Sequence, residues 1–174
     1  IKESNILNIT QKAEAELEPP TARPVSPRAY PILLADIGGT NARFSLVGAA
    51  GEAPLHFDDV QPSAFTGLAE AISYAVFANT ALRPASAIIA IASPVKGNEI
   101  PLTNCNRVIR PRDLIAELGI DAVLILNDFE AQGLACSCAL APDLAQVRPD
   151  IQHSDQPRLI IGPGTGLGLS GLAR

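Results

Sequence analysis

Pro31-Ile32-Leu33-Leu34-Ala35-Asp36-Ile37-Gly38-Gly39-Thr40-Asn41-Ala42-Arg43-Phe44-Ser45-Leu46-Val47 is the stretch on which the fold turns. Pro31 to Ala35 is a continuous apolar run, the pattern of a strand buried on both faces. Gly38-Gly39 then turns the chain into Ala42–Val47, whose Phe44 and Leu46 suit a second strand paired antiparallel to the first. Asp36 is delivered at the end of the buried strand, just before the glycine turn. Glycine has no Cβ, so backbone N–H groups there can approach an anion closely. Thr40 adds a hydroxyl donor, and Asp36 stands where a carboxylate can hold Mg²⁺ directly or through water. An ordinary Gly-Gly hairpin is the competing reading, but Thr40-Asn41-Ala42-Arg43 is not generic turn chemistry.

Outward from this stretch the pattern predicts an α/β domain with a mixed sheet. Leu55–Val60 reads as a third strand. Ser63 looks like the N-cap of a helix over Leu68–Ala78. Ala87–Ala92 is a buried strand, and Lys96-Gly97-Asn98 makes a tight turn into Glu99–Leu102, which predicts a hairpin. Asp113–Leu118 is a short helix ended by Gly119, and Ala122–Leu126 is a purely apolar strand. Asp128 caps a helix over Phe129–Ala139. Leu159-Ile160-Ile161 enters a glycine-rich turn whose return strand is Leu167–Leu172. Three segments result: a Pro-rich arm over 1–29, a small α/β domain over 30–139 and the first strands of a larger domain over 140–174.

The chain has 174 residues and a net charge of −5, with no Lys/Arg cluster, which argues against non-specific binding to nucleic acid or anionic membrane. Hydrophobic residues make up 47% and aromatics 4%, so the core is expected from Leu, Ile, Val and Ala. Cys105, Cys136 and Cys138 form no CxxC pair, and their odd number points to free thiols in a reducing compartment. They are expected as small buried hydrophobes. No apolar run approaches a membrane span, and no signal-peptide layout opens the chain. A soluble cytoplasmic protein is the expectation.

Two further segments carry chemistry. Asn127-Asp128 lies where a strand gives way to a helix, the end at which α/β proteins place ligands. Asp128 can accept a proton from a hydroxyl nucleophile while Asn127 hydrogen-bonds a neighbouring hydroxyl, the division of labour phosphoryl transfer to an alcohol needs. The bland alternative is a helix N-cap and nothing more. Gly162-Pro163-Gly164-Thr165-Gly166-Leu167-Gly168 has glycine at every second position. A dinucleotide-binding GxGxxG would need a helix directly after it and an acidic residue about 20 positions on. Leu167–Gly171 is a poor helix start, and no GxxxxGK[ST] occurs anywhere. A second phosphate-binding hairpin fits best.

Leu33–Arg43, Leu102-Thr103-Asn104, Leu126-Asn127-Asp128-Phe129 and Gly162–Gly168, in this order, resemble the bacterial glucokinase family. Ser93–Asn98 ahead of Thr103-Asn104 also matches that family's hairpin, and the similarity runs from about Pro31 to Arg174. It implies a fold of the actin/hexokinase (ribonuclease H-like) type, with ATP and Mg²⁺ as cosubstrates and glucose as substrate. It assigns Asp36, Gly38, Gly39, Thr40 and Asn41 to a first phosphate segment and Gly164, Thr165 and Gly166 to a second, with Asp36 a water-mediated Mg²⁺ holder. Asn127, Asp128 and Asn104 become sugar-binding residues, Asp128 also the catalytic base for the 6-hydroxyl. Two departures stand out. Arg107 occupies the region where the family usually carries Trp, and the Glu-Gly-Gly-His sugar motif and adenosine-binding segment are absent. The chain also begins with Ile. It is therefore expected to be a fragment or truncated product that cannot close over its ligands, with exposed strands that favour a homodimer. A sugar- or nucleotide-binding regulator of the same fold and an NAD-dependent oxidoreductase are the alternatives.

Overall fold

The computed structural model describes residues 29–102, 107–139, 144–145, 147, 157–163 and 167–173. The expected Pro-rich arm up to residue 28, together with Asn104, Cys105, Gly164, Thr165 and Gly166, lies outside the described residues. In chain order the elements begin with strands β1 (Ile32–Ile37), β2 (Ala42–Val47) and β3 (Leu55–His56). Helix α1 (Leu68–Ile72) follows, continued by a π-helical stretch over Ser73–Phe77, and then strand β4 (Ser86–Ile91). Next come β5 (Ile100–Pro101), β6 (Val108–Ile109), helix α2 (Pro111–Leu118) and β7 (Ala122–Asn127). Helix α3 (Asp128–Cys138) leads to β8 (Arg158–Pro163) and β9 (Leu167–Leu172).

Five strands form one mixed sheet in the order β3-β2-β1-β4-β7. β1 runs antiparallel to β2 and parallel to β4, and β4 runs parallel to β7. Alternation along these strands sorts the side chains by face. Leu33, Ala35 and Ile37 share the core face with Phe44, Leu46, Ala87, Ile89, Ile91 and Ile125, and Ile72, Val76, Leu114 and Leu118 from α1, its π-helical continuation and α2 join the same core. The opposite face is only partly covered among the described residues: Leu34, Ile88 and Leu126 are half-buried and Leu124 is exposed. The apolar runs of β1 and β7 thus predict burial on both faces, and the structure supplies it on one.

Several local expectations are corrected. Ser63 does not cap α1; it lies in a 3-10 turn over Pro62–Ala64, and Gly67 takes the N-cap position. The helix start is held instead by Glu70, whose Oε2 accepts from Thr66 N and Thr66 Oγ1, both at 2.6 Å. Those donors, the hydroxyl foremost, hold the Glu70 carboxyl below its usual range. The third strand shrinks to two residues, with a single bridge between Ala42 and Val60 extending it. Gly97 does turn with φ +68°, but Ile100-Pro101 pairs with β6, an unexpected strand, closed by Leu102 N donating to Arg107 O at 2.9 Å. Gly119 ends α2 at φ +65°, the left-handed cap that glycine adopts without a Cβ penalty.

β8 and β9 form a separate two-stranded hairpin that packs against α3. Cys136 is half-buried and Cys138 exposed, both as free thiols, so burial is not their common property. Cys138 is the last residue of α3.

Ile89 sits fully buried in the central strand between β1 and β7. Ile89→Ala is expected to cost about 2–5 kcal/mol, from lost transfer energy plus the cavity left behind. Leu124→Ala, on the exposed face, should cost less than about 1 kcal/mol. Urea unfolding followed by circular dichroism compares the two.

Candidate active site

The site begins with strand register. Ile37, Ile91 and Asn127 stand abreast at the C-terminal ends of three neighbouring parallel strands. Adjacent strands are spaced about 4.8 Å apart, so β1 and β7 end roughly 10 Å from each other. The turn after β1 and the helix after β7 therefore leave the sheet along the same edge. This is where open α/β sheets place their ligands.

The turn after β1 is tight: Gly38 N donates to Asn41 O at 2.9 Å. Gly38 is not at positive φ. A Cβ there would lie 3.2 Å from Asn41 O, so glycine supplies room rather than a left-handed backbone. The backbone N–H groups of Gly39, Thr40 and Asn41 make no hydrogen bond among the described residues, and all three residues are exposed. Three adjacent free donors form the kind of concavity that accepts a phosphate oxygen.

Asp36 is half-exposed and not alone. Cross-strand pairing sets Arg43 opposite it, and Arg43 Nη1 lies 3.2 Å from Asp36 Oδ2. Arg43 Nε is also 3.2 Å from Asp59 Oδ2, so one guanidinium bridges two carboxylates. Both pairs are open to solvent and hence weak. Sequence reasoning missed this bridge, although a four-residue loop closing on Ile37 and Ala42 puts residues 36 and 43 opposite each other. No group of three or more His, Cys, Asp or Glu is placed to hold a metal among the described residues. A single carboxylate suits Mg²⁺, which keeps most of its waters and shares them with phosphate oxygens.

At the other end of the site Asn127, not Asp128, caps α3. Asn127 Oδ1 accepts from Phe129 N at 3.0 Å and Glu130 N at 3.4 Å. Glu130 Oε2 in turn accepts from Asn127 N at 3.4 Å, which completes a capping box. The shift of one residue has a chemical consequence. Asn127 Nδ2 donates to Ser93 O at 3.2 Å and to Asp128 Oδ1 at 2.8 Å, while Phe129 N donates to the same Oδ1 at 3.0 Å. Asp128 is thus held through one oxygen, and its Oδ2 makes no hydrogen bond among the described residues. A fixed carboxylate with one free oxygen is the arrangement a general base needs.

The hairpin of the third motif reaches the same place. Gly162 and Gly168 face each other across the β8–β9 ladder, and both lie against the ring of Phe129, the neighbour of Asp128. Arg107, at the position of an expected Trp, donates from Nη1 to Pro62 O at 2.9 Å and so ties the β5–β6 hairpin to the turn before α1. Of the sequence-predicted residues, Asp36, Gly38, Gly39, Thr40, Asn41, Asn127 and Asp128 gather at one sheet edge. Asn104, Gly164, Thr165 and Gly166 are outside the described residues.

Known proteins resemble this chain in sequence and fold. A glucokinase family profile matches residues 33–174. The glucokinase of Sinorhizobium medicae is 46% identical over 143 residues, which is 82% of this chain and 42% of that protein. The glucokinase of Brucella suis is 44% identical over 145 residues, with the same 42% of its length covered. The chain therefore spans less than half the length of these curated relatives. Among solved structures, a glucokinase from an Antarctic psychrotroph superposes with TM-score 0.65 at 27% identity, covering 84% of this chain and 47% of that one. A Balamuthia mandrillaris glucokinase, solved in complex with glucose, gives TM-score 0.59 at 21% identity and supports the actin/hexokinase-like fold. Because the family profile spans nearly every residue that builds the sheet, the glycine turn, the Asp128 helix and the hairpin, the chain belongs to the glucokinase family.

Proposed function

We propose that this chain carries the base and phosphate-binding part of an active site for ATP-dependent phosphorylation of glucose at its 6-hydroxyl. The observation that carries the reading is Asp128, anchored through Oδ1 and open at Oδ2, on the same sheet edge as the free N–H groups of Gly39, Thr40 and Asn41.

In this reading Asp128 Oδ2 accepts the proton as the sugar hydroxyl attacks the γ-phosphate and the bond to the β-phosphate breaks, releasing ADP, while the amides of the β1–β2 turn stabilise charge on the phosphate oxygens. Thr40 adds its hydroxyl. Gly164, Thr165 and Gly166 form the second phosphate contact. Asp36 would hold Mg²⁺, through water, and the ion would supply neutralisation of phosphate charge. Asn104 bonds a sugar hydroxyl. The Asn127 amide is already engaged by Phe129, Glu130, Ser93 and Asp128, so its first role is to orient the base. A sugar contact from Asn127 requires one of these bonds to give way.

Hairpin β8–β9 opens a second domain in this proposal, and closure of two domains excludes water and aligns the reactants. The 174-residue chain is expected to give no glucose 6-phosphate by itself, because incomplete orientation leaves the barrier several kcal/mol too high. No helix among the described residues is long and apolar enough to cross a membrane. A cytoplasmic enzyme is the proposed setting.

Joined to the C-terminal portion of the Sinorhizobium medicae glucokinase, the chain should form glucose 6-phosphate from glucose and ATP–Mg²⁺ in a coupled assay. Asp128→Asn in that fusion is expected to lower kcat by about 10²–10⁴-fold with little change in glucose affinity. Binding of glucose and ATP without turnover in the wild-type fusion would shift the reading to a regulator of the same fold.

The outer face of the hairpin presents Leu159, Ile161, Leu167 and Leu169, each more than half exposed. We place a homodimer contact there, because an exposed apolar sheet face invites pairing with another copy. Light scattering should give a dimer at high concentration, and Ile161→Lys with Leu169→Lys should return it to monomer. A clean monomer for the wild-type chain would remove this contact.

A further inference from the structure

We propose that Phe129 is a positioning residue which locks hairpin β8–β9 to the helix that begins at Asp128, so that the hairpin strand ends Pro163 and Leu167 and the base move as one body. The proposal rests on the kinase reading above and adds to it a residue that acts through its neighbour Asp128 and the hairpin.

The argument starts from the paired glycines. Gly162 and Gly168 are direct partners in the ladder and face α3. A Cβ added to Gly162 would lie 2.5 Å from Phe129 Cζ and 2.7 Å from Cε1. One added to Gly168 would overlap Phe129 Cε2 and Cζ more severely. No side chain as large as alanine fits at either position unless the ring moves. Glycine costs a strand both packing and backbone entropy, so two of them opposite each other call for a cause. Here the cause is a notch in the sheet that the phenyl ring fills.

The seam continues along the helix. Gly133, one turn after Phe129, lies against Ser170, and a Cβ there would come 2.7 Å from Ser170 Oγ. Another turn on, Cys136 O accepts from Arg158 Nη1 at 3.3 Å. Residues 129, 133 and 136 fall on one helical face. The ring is the largest group in this seam and is adjacent in sequence to Asp128. Strand ends Pro163 and Leu167, which flank the Gly164–Gly166 segment, are paired one position beyond the notch. A hairpin pinned there has little freedom to shift Pro163 and Leu167 relative to the base.

The outer glycines of the motif therefore do a different job from the inner ones. Gly162 and Gly168 serve packing, while Gly164 and Gly166 remain the candidates for phosphate.

The test uses the 174-residue chain by NMR. Phe129→Ala should speed amide hydrogen exchange across Leu159–Ile161 and Leu167–Leu172 by about tenfold or more, while β1, β4 and β7 keep their protection. Phe129→Leu should restore part of it. Gly168→Ala should loosen the hairpin from the opposite wall, and combining it with Phe129→Ala should do no further harm. In the wild-type chain, titration with ATP–Mg²⁺ should shift the amides of the hairpin and of residues 128–130 with one apparent Kd. In Phe129→Ala the hairpin should respond without residues 128–130. Unchanged exchange, additive losses in the double variant, or a joint response that survives Phe129→Ala would each overturn the proposal. Failure of the wild-type chain to respond to either glucose or ATP–Mg²⁺ would instead count against the kinase reading, and the exchange measurements would still decide whether Phe129 is the anchor.

Discussion

The parallel ladder from β1 through β4 to β7 is the constraint on which the site depends. It brings Ile37, Ile91 and Asn127 level, so the turn of Gly38–Asn41 and the helix that opens at Asp128 leave the sheet from strand ends on one side. Parallel pairing obliges the chain to cross over between strands, which commits α1 and α2 to the sheet and buries Leu33, Ile89 and Ile125 beneath them. A slip of one residue in β7 would move Ile125 out of the core and turn Asn127 away from Ser93 O, breaking the cap and the orientation of Asp128 together. Core packing and site geometry are in this sense one requirement.

The capping box shows how little separates structure from chemistry here. Had Asp128 capped α3, one of its carboxylate oxygens would be committed to the helix N–H groups. Asn127 takes that duty with an uncharged amide, whose carbonyl oxygen satisfies Phe129 N and Glu130 N. Its Nδ2 then steadies Asp128. In the proposed reading, Asn127-Asp128-Phe129-Glu130 would divide four tasks among four adjacent residues: cap and bracket, base, anchor and return half of the box.

Much of this was legible in the residues, and the gaps have physical causes. The strands Ile32–Ile37, Ser86–Ile91 and Ala122–Asn127 announce themselves as apolar runs, and Gly119 as a helix stop, because burial and φ leave a local trace. Ser63 misled because Pro62 favours a 3-10 turn before the helix, while Glu70 reaches back to Thr66 and does the work a cap would do. β6 was invisible because a two-residue strand has no periodicity to read. Burial of β1 on both faces was overstated because an apolar run records a preference for cover and not its presence. The Gly162–Gly168 notch could not be read from the motif alone. Phosphate binding and aromatic packing both call for glycine, and only the partner across the gap tells them apart.

The bridge from Arg43 to Asp36 and Asp59 bears on whether Asp36 can serve a cation at all. A buried ion pair would hold that carboxylate firmly, since breaking it leaves an uncompensated charge. Asp36, Asp59 and Arg43 are instead each at least half exposed, where such pairs are worth roughly 0–1 kcal/mol. A hydrated dication arriving with a polyphosphate can therefore displace the guanidinium at little cost. Arg43 does not lose its partner when that happens, because Asp59 Oδ2 lies on its Nε and not on the Nη1 that faces Asp36. Released from Asp36, Nη1 regains a free donor while Nε stays on Asp59. In the proposed reading, the same arrangement that occupies Asp36 without ligand would leave it available to the cation of an arriving nucleotide.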